Sequence, residues 1–270
     1  RALGALGAEG QIDAMADAMA ADPKLRHEVL DAYVLIGETG AATYLVPFFE
    51  SEDAELATHA MIAAGRLRAG KAVTPLMTVY GSDEPKGGVV GAVRNAFTPE
   101  RKKAALQALA LIGDPSSEGA FTENFYHRDP DRRRAAFEGI AREGDKRFVE
   151  VVTRAGQREK NEEVRLAQTF ALYKLGSSGM MAVLVEALRT SSRRDQAAAY
   201  VNEATSPEHL TPFLRERNRE SQRIVVQALG VVGDQAAADA LKPLVRGADP
   251  EIALAADRSI RRIEWRLARP

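Results

Sequence analysis

The chain contains no cysteine, so disulfide frameworks and cysteine-ligated zinc sites are excluded. Aromatic residues make up only 6% of the 270 residues and alanine is abundant, which favours closely packed helices over sheets. No stretch approaches the run of about 18 apolar residues that can span a bilayer, so we expect no membrane span. The net charge is −1, which gives the whole chain no general attraction for nucleic acid or anionic membranes.

The small net charge conceals an uneven distribution. Residues 1–130 hold 12 basic and 18 acidic side chains, whereas residues 131–270 hold 25 and 20. Either the two ends meet different surroundings or their solvated faces have drifted in composition. Because the first residue is Arg1 and not Met, we expect the chain to be part of a longer polypeptide, cytoplasmic or periplasmic. Its Ala- and Arg-rich usage fits a GC-rich bacterial genome.

A sequence motif of about 30 residues with helical periodicity recurs along the chain, and a period of this length indicates a fold built from repeated structural units. Each copy opens with Asp, Asn, Ser or Thr, often followed by Pro, as at Asp22-Pro23 and Thr98-Pro99. This pair is typical of an N-cap with Pro in the first helical turn. A Gly then closes the helix, because glycine tolerates the left-handed conformation there. The closing glycines are Gly37, Gly113, Gly144, Gly176 and Gly233, and the spacing places Gly65 in the same series.

A second amphipathic segment follows each glycine, which predicts two antiparallel helices per repeat and about eight repeats. Three prolines (Pro47, Pro75 and Pro243) recur ten residues after a glycine, where they would kink or delay the second helix and shape the curvature. The residues expected in the core of the second helices are Leu45, Phe48, Phe49, Phe121, Phe125, Phe148, Val152, Leu241 and Leu244.

The repeat resembles the HEAT-repeat family, in particular the short bacterial type of phycobilisome lyases. The matching residues are Asp22-Pro23, Leu25-Arg26, Ile36-Gly37, Ile112-Gly113-Asp114, Val164-Arg165 and Val232-Gly233-Asp234. The resemblance implies an all-α, right-handed superhelical solenoid of about eight antiparallel helix pairs. It implies a single HEAT-repeat domain over 1–270 with incomplete repeats at both ends. The family includes scaffolds, lyases, hydroxylases and glycosylases, so it does not identify a function.

A basic residue recurs eleven positions before the closing glycine, at Arg26, Lys102, Arg133 and Arg165. These four cations could form a ladder for a polyanion. The alternative is structural, since the position belongs to the consensus of the family. In that case each cation pairs with a carboxylate of a neighbouring turn and sets the stacking of the repeats.

The repeat register breaks between Gly65 and Gly113, which lie 48 residues apart, about 17 more than one repeat needs. We expect the excess, 81–99, to form an inserted loop on the surface. Its Lys86-Gly87-Gly88 suggests a phosphate cradle, but there is no GKS/T ending and no preceding strand, which argues against a P-loop. Lys86 and Arg94 are therefore candidate partner contacts, and a surface insertion without a role is the alternative.

The four histidines do not occur in an HxxxH or HExxH spacing. Di-iron hydroxylases of the HEAT class use several His-Glu pairs, whereas this chain has His27-Glu28 and a reversed Glu208-His209. No Ser-His-Asp set or isolated carboxylate pair emerges either. We therefore expect no catalytic residue, no metal, no cofactor and no small-molecule substrate, and hence a protein that is not an enzyme.

The leading functional hypothesis is a non-enzymatic protein-protein interaction scaffold that binds a partner on its concave face. Tyr44, Tyr80 and Tyr126 lie outside the core positions of the second helices or at their edge. Exposed tyrosines are good anchors for a partner. Alternatively, each tyrosine caps a neighbour's core with its hydroxyl in water. The expected partner is another protein or another domain of the same longer chain.

The alternative function is a nucleic-acid-binding HEAT module that uses the basic C-terminal half. The last helical segment, 251–270, is rich in Arg and carries the only tryptophan, Trp265. Acidic residues interleave the Arg clusters at 132–134, 193–194 and 215–223, a pattern that favours solvated helix ends over a phosphate-binding surface.

Overall fold

The computed structural model describes residues 9–82 and 89–268, with side chains from 10 to 82 and from 99 to 268. Every regular element within these ranges is helical, which confirms the all-α prediction. The α-helices in chain order, α1 to α15, are Ile12–Ala21, Arg26–Ile36, Ala42–Leu45, Ala54–Arg66, Val73–Gly81, Val89–Ile112, Glu118–Thr122, Pro130–Glu143, Val149–Gly156, Glu162–Lys174, Met180–Ala187, Arg194–Val201, Arg219–Val232, Gln235–Val245 and Pro250–Leu267.

After α1 the helices alternate along the chain. The first helices of the repeats are α2, α4, α6, α8, α10, α12, α13 and α15, and the second helices are α3, α5, α7, α9, α11 and α14, so that two first helices, α12 and α13, follow each other directly. A 3₁₀ turn leads into each of the first four second helices, at Thr39–Ala41, Gly70–Ala72, Pro115–Ser117 and Lys146–Phe148. By internal contacts the chain divides into two compact units, Arg1–Asp145 and Lys146–Pro270. The single domain over 1–270 stays a prediction.

Most first helices begin with a side-chain N-cap, as the repeated motif predicts. Asp53 accepts hydrogen bonds from the amides of residues 55 and 56 at 3.0 and 3.1 Å. Asp129, Asn161 and Asp249 cap α8, α10 and α15 in the same way. Each cap satisfies amides that have no partner inside the helix.

The start of α6 differs from the prediction. The Thr98-Pro99 pair was expected to open a helix, but α6 begins at Val89 and continues through Pro99. A single proline removes one backbone hydrogen bond, and in a helix of 24 residues the remaining bonds and the packing against α4 and α8 hold the helix together. Of the predicted inserted loop at 81–99, Gly81 ends α5 and residues 89–99 are helical, while 83–88 lie outside the described residues.

Four of the closing glycines have the predicted conformation. Gly37, Gly113, Gly144 and Gly176 have φ of 79°, 70°, 78° and 116°. The prediction is wrong for Gly233, whose φ is −66°. There, a Cβ would lie 2.4 Å from the Leu229 carbonyl oxygen and 2.8 Å from Ile263 Cδ1, so close packing requires the glycine.

Gly65 does not close a helix either. It lies inside α4, and the left-handed residue of this repeat is Arg68, with φ 50°. A Cβ on Gly65 would lie 2.8 Å from Ala108 Cα and 3.0 Å from the Ala108 carbonyl oxygen. Gly65 therefore sets how closely α4 approaches α6.

The predicted core of the second helices is largely confirmed. Seven of the nine residues are buried, whereas Phe48 and Leu244 are partly exposed. The guanidinium of Arg26 lies over the exposed part of Phe48, 5.5 Å from the ring centroid. Arg133 donates to the backbone carbonyls of residues 127 and 128 at 2.7 and 3.0 Å. These two recurring cations thus contribute to the fold through an aromatic ring and through backbone carbonyls.

The repeat without a closing glycine, predicted near 196–214, has an irregular second half. The 3₁₀ segments Pro207–His209 and Thr211–Arg215 replace the second helix. The hydroxyl of buried Tyr173 accepts a hydrogen bond from the Thr205 amide at 2.8 Å and lies 2.8 Å from His209 Nδ1. A buried side chain of the preceding repeat therefore binds the start of this irregular segment.

Cations near the ends of two first helices bind the end of the first helix one repeat earlier. Arg142 in α8 donates to the Ala110 carbonyl oxygen in α6 at 2.9 Å. Arg266 in α15 donates to the carbonyl oxygens of Val231 and Gly233 at the end of α13. The last carbonyls of a helix carry the negative end of its dipole, so these cations stabilise it.

In the part of the chain that the structure describes, no helix combines the length and the apolar character needed to cross a membrane.

Candidate functional site

Tyr44, the first of the three predicted anchors, is partly exposed on α3. Its hydroxyl donates a hydrogen bond to the Asp13 carboxylate in α1 at 2.6 Å. This hydrogen bond raises the pKa of Tyr44, with burial adding to the shift. Tyr44, Asp13 and Glu38 line a shallow cavity of about 320 Å³. The bond fixes the ring at the rim of an acidic depression.

Tyr80, at the end of α5, is also partly exposed. Its hydroxyl donates to the Glu123 carboxylate and accepts from Asn124 Nδ2 at 2.6 Å. Burial, followed by the hydrogen bond to Glu123, raises the pKa of Tyr80 to about 12. Asn124 is buried and also donates to the Ala120 carbonyl at 2.7 Å. Tyr80 therefore connects two successive second helices, α5 and α7.

Tyr126 follows α7 and is the most accessible of the three, with 67% of its surface exposed. Its neighbour Phe125 is buried, and the Phe125 and Phe137 ring centroids lie 5.0 Å apart. Asn124, two residues before Tyr126, is fixed by the bonds just described. An exposed aromatic ring is thus presented on a backbone whose neighbouring side chains are anchored in the core.

The other two candidate contacts cannot be placed by their side chains. Lys86 lies outside the described residues. Arg94 lies in α6, and its side chain is likewise outside the described set. The sequence did not predict Asp13, Glu123 and Asn124 as partners of the tyrosines. These residues lie 31 to 44 positions away in the chain, and their contacts depend on how helices stack.

The histidines form structural contacts. His27 Nδ1 lies 2.9 Å from His59 Nδ1, and His59 Nε2 lies 3.0 Å from Asp31 Oδ1. His209 binds the Tyr173 hydroxyl, and burial lowers the pKa of His127. Among the described residues, no three His, Cys, Asp or Glu side chains are grouped so that they could hold a metal ion.

Several arginines in and near the clusters of the C-terminal half are paired with acidic residues. Arg219 lies 2.5 Å from Asp249, and Arg189 lies 2.9 Å from Glu216. Arg223 lies 2.5 Å from Glu220, and this hydrogen bond lowers the pKa of Glu220. Pairing of this kind leaves less positive charge for a phosphate backbone than the residue count suggests.

No family model and no curated protein sequence matches the chain. Similar solved structures include human deoxyhypusine hydroxylase in complex with glycerol, with 17% identity, TM-score 0.42, and coverage of 98% of this chain and 100% of that chain. The complex of CpcE and CpcF of phycocyanin lyase from Nostoc sp. PCC7120 has 19% identity, TM-score 0.44, and coverage of 82% and 94%. Both are HEAT-like helical-repeat folds, so the likeness concerns the fold.

The comparisons also correct one expectation. The chain was expected not to be an enzyme, yet one of these similar structures is an enzyme and another is a pair of lyase subunits. The expectation that the chain is not an enzyme came from the lack of a recognisable set of catalytic or metal-binding residues, and as an exclusion of catalysis it is wrong. The fold is compatible both with catalysis and with binding.

Proposed function

We propose that the chain is a helical-repeat module that binds another protein, or another domain of the same longer polypeptide, through the tyrosines of its first unit. The observation that carries the proposal is Tyr126, which is 67% exposed beside a firmly packed backbone. A tyrosine has only two side-chain torsions, so on an anchored backbone it loses little conformational entropy when a partner covers its ring, and such residues make strong contacts.

Tyr44 and Tyr80 support the same proposal through their hydrogen bonds to Asp13 and Glu123. The bonds orient both rings before any partner arrives, which lowers the entropic cost of binding. Residues 1–145 hold 16 basic and 22 acidic side chains, so this unit favours a partner segment of positive charge. Lys86 and Arg94 remain proposed contacts.

The test is affinity capture from a native extract, followed by measurement of the affinity for the captured protein. Tyr126→Ala should weaken binding by tenfold or more, since truncation of a central tyrosine costs about 2 kcal/mol. Leu35→Ala is the matched control, because Leu35 is 59% exposed in the same unit but lies on a first helix. Absence of any captured partner, or equal binding by both variants, would contradict the proposal.

A further inference from the structure

A groove of about 580 Å³ lies between the first helices α13 and α15 in the second unit. Arg223 and Val231 line it from α13, and Leu254, Arg258 and Arg262 line it from α15. The three α15 residues are spaced four apart, so they follow one face of the helix. The tyrosine surface belongs to the other unit, and the argument for this groove does not depend on it.

The packing of α15 explains why this face stays open. Ile252, Ala256, Ser259 and Ile263 form its buried stripe. Ser259 donates a hydrogen bond to the Val226 carbonyl oxygen at 3.0 Å. A Cβ on Gly230 would lie 2.8 Å from Ser259 Oγ, so the two helices are in close contact at this point. The residues beside the stripe are left at the edge of the contact, where they face the groove.

The charges in the groove are only partly neutralised. Arg223 is paired with Glu220 at 2.5 Å, and Glu251 lies 3.3 Å from Arg219. Arg258 and Arg262 differ, since within the described residues no ion pair of 4.0 Å or less involves either of them. The groove therefore presents two guanidinium groups that have no carboxylate partner in the described chain. Residues 146–270 together hold 21 basic and 16 acidic side chains.

Apolar surface accompanies these cations. Leu254 is 50% exposed, one helical turn before Arg258. A phosphate backbone gains nothing from a leucine and is repelled by the Glu251 carboxylate in the same groove. A peptide segment can place carboxylates beside Arg258 and Arg262, an apolar side chain beside Leu254 and an uncharged residue beside Glu251, which a uniformly charged phosphate backbone cannot do.

We propose that the groove between α13 and α15 binds an acidic, amphipathic segment of a protein partner. Carboxylates of the segment pair with Arg258 and Arg262, which can bind them in a bidentate manner. An apolar side chain of the segment packs against Leu254 and Val231. The Arg223 guanidinium, fixed by Glu220, lines the same groove.

The test selects peptides from a random 16-residue phage-displayed library against the full chain. The Arg258→Glu/Arg262→Glu double variant serves for counter-selection. We expect the selected peptides to be rich in Asp and Glu and to carry at least one large apolar residue. A fluorescein-labelled consensus peptide should bind the double variant at least about tenfold more weakly than the wild type, with affinity falling as salt rises. Leu254→Ser should weaken it as well.

Arg158→Glu/Arg246→Glu is the matched control, because both residues are exposed in the same unit, outside the groove, and the change in net charge is identical. It should change the affinity by less than about twofold. No enrichment of acidic peptides, or equal loss in the two double variants, would overturn the proposal. Tighter binding of a 16-base-pair DNA duplex than of the peptide would assign the groove to nucleic acid instead. Tyr126→Ala should leave peptide binding unchanged, so this proposal and that for the first unit fail independently.

Discussion

Replacement of Gly65 by alanine should destabilise the first unit, although alanine is the better helix former. Gly65 lies inside α4, and the added Cβ would lie 2.8 Å from Ala108 Cα and 3.1 Å from Leu111 Cδ1. The first of these atoms belongs to the backbone of α6, which a side-chain rotation cannot move. The two helices must therefore separate to admit the methyl group.

The magnitude follows from two opposing contributions. Alanine in place of glycine in a helix interior contributes about 1 kcal/mol of stability. Overpacking of a close contact costs about 1–3 kcal/mol, and a backbone contact belongs at the upper end of that range. We therefore expect Gly65→Ala to lower the free energy of unfolding by about 1–2 kcal/mol.

Urea unfolding followed by circular dichroism at 222 nm measures this difference. Gly119→Ala is the matched control, since Gly119 is helical in α7 and has no atom within 4 Å of an added Cβ. It should raise the stability by up to about 1 kcal/mol, so the two variants should shift in opposite directions. If Gly65→Ala were as stable as the wild type or more stable, the close packing of α4 on α6 would be refuted.

Two further predictions concern hydrogen bonds between repeats. Arg266→Ala should lower the free energy of unfolding by about 1.5–3 kcal/mol, because the carbonyls of Val231 and Gly233 lose a charged donor; thermal unfolding checks this. Burial raises the pKa of both Tyr33 and Tyr80 to about 12, so the folded chain keeps protons that the unfolded chain releases near pH 10. The free energy of unfolding should therefore fall as the pH rises from about 10 to about 12. This fall should be smaller in a Tyr33→Phe/Tyr80→Phe variant. An equal fall in the variant and the wild type would show that these two tyrosines do not cause it.

Local signals were sufficient to predict much of the fold. Asp53 and Asn161 begin helices because their side-chain oxygens accept hydrogen bonds from amides two or three residues away. Gly37 and Gly144 end helices because the backbone there has a positive φ, and this requirement is purely local. These effects act within one turn, so a single sequence contains them.

The remaining features depend on distances between helices. Gly65 and Gly233 fit the same spacing as the closing glycines, but their role is close packing: a Cβ would meet α6 at Gly65, and at Gly233 it would meet the Leu229 carbonyl of its own helix and Ile263 of α15. The Thr98-Pro99 pair has the sequence of a helix start, but in the structure it lies inside a longer helix. For the candidate site, the sequence identified the tyrosines but not Asp13 and Glu123, whose contacts form only when repeats stack.

The bonds from Arg142 and Arg266 can form only after the later of the two helices that they join has been synthesised. Each guanidinium donates a hydrogen bond to a backbone carbonyl oxygen that lies 32 or 35 residues earlier in the chain, near the end of a helix. At ribosomal rates of about 5–20 residues per second, these donors are synthesised about 2 to 7 seconds after the carbonyls at the ends of α6 and α13. The ends of α6 and α13 therefore lack this donor until the next first helix has emerged. In a chain that stops after α13, the carbonyl oxygens of Val231 and Gly233 have no charged donor from α15.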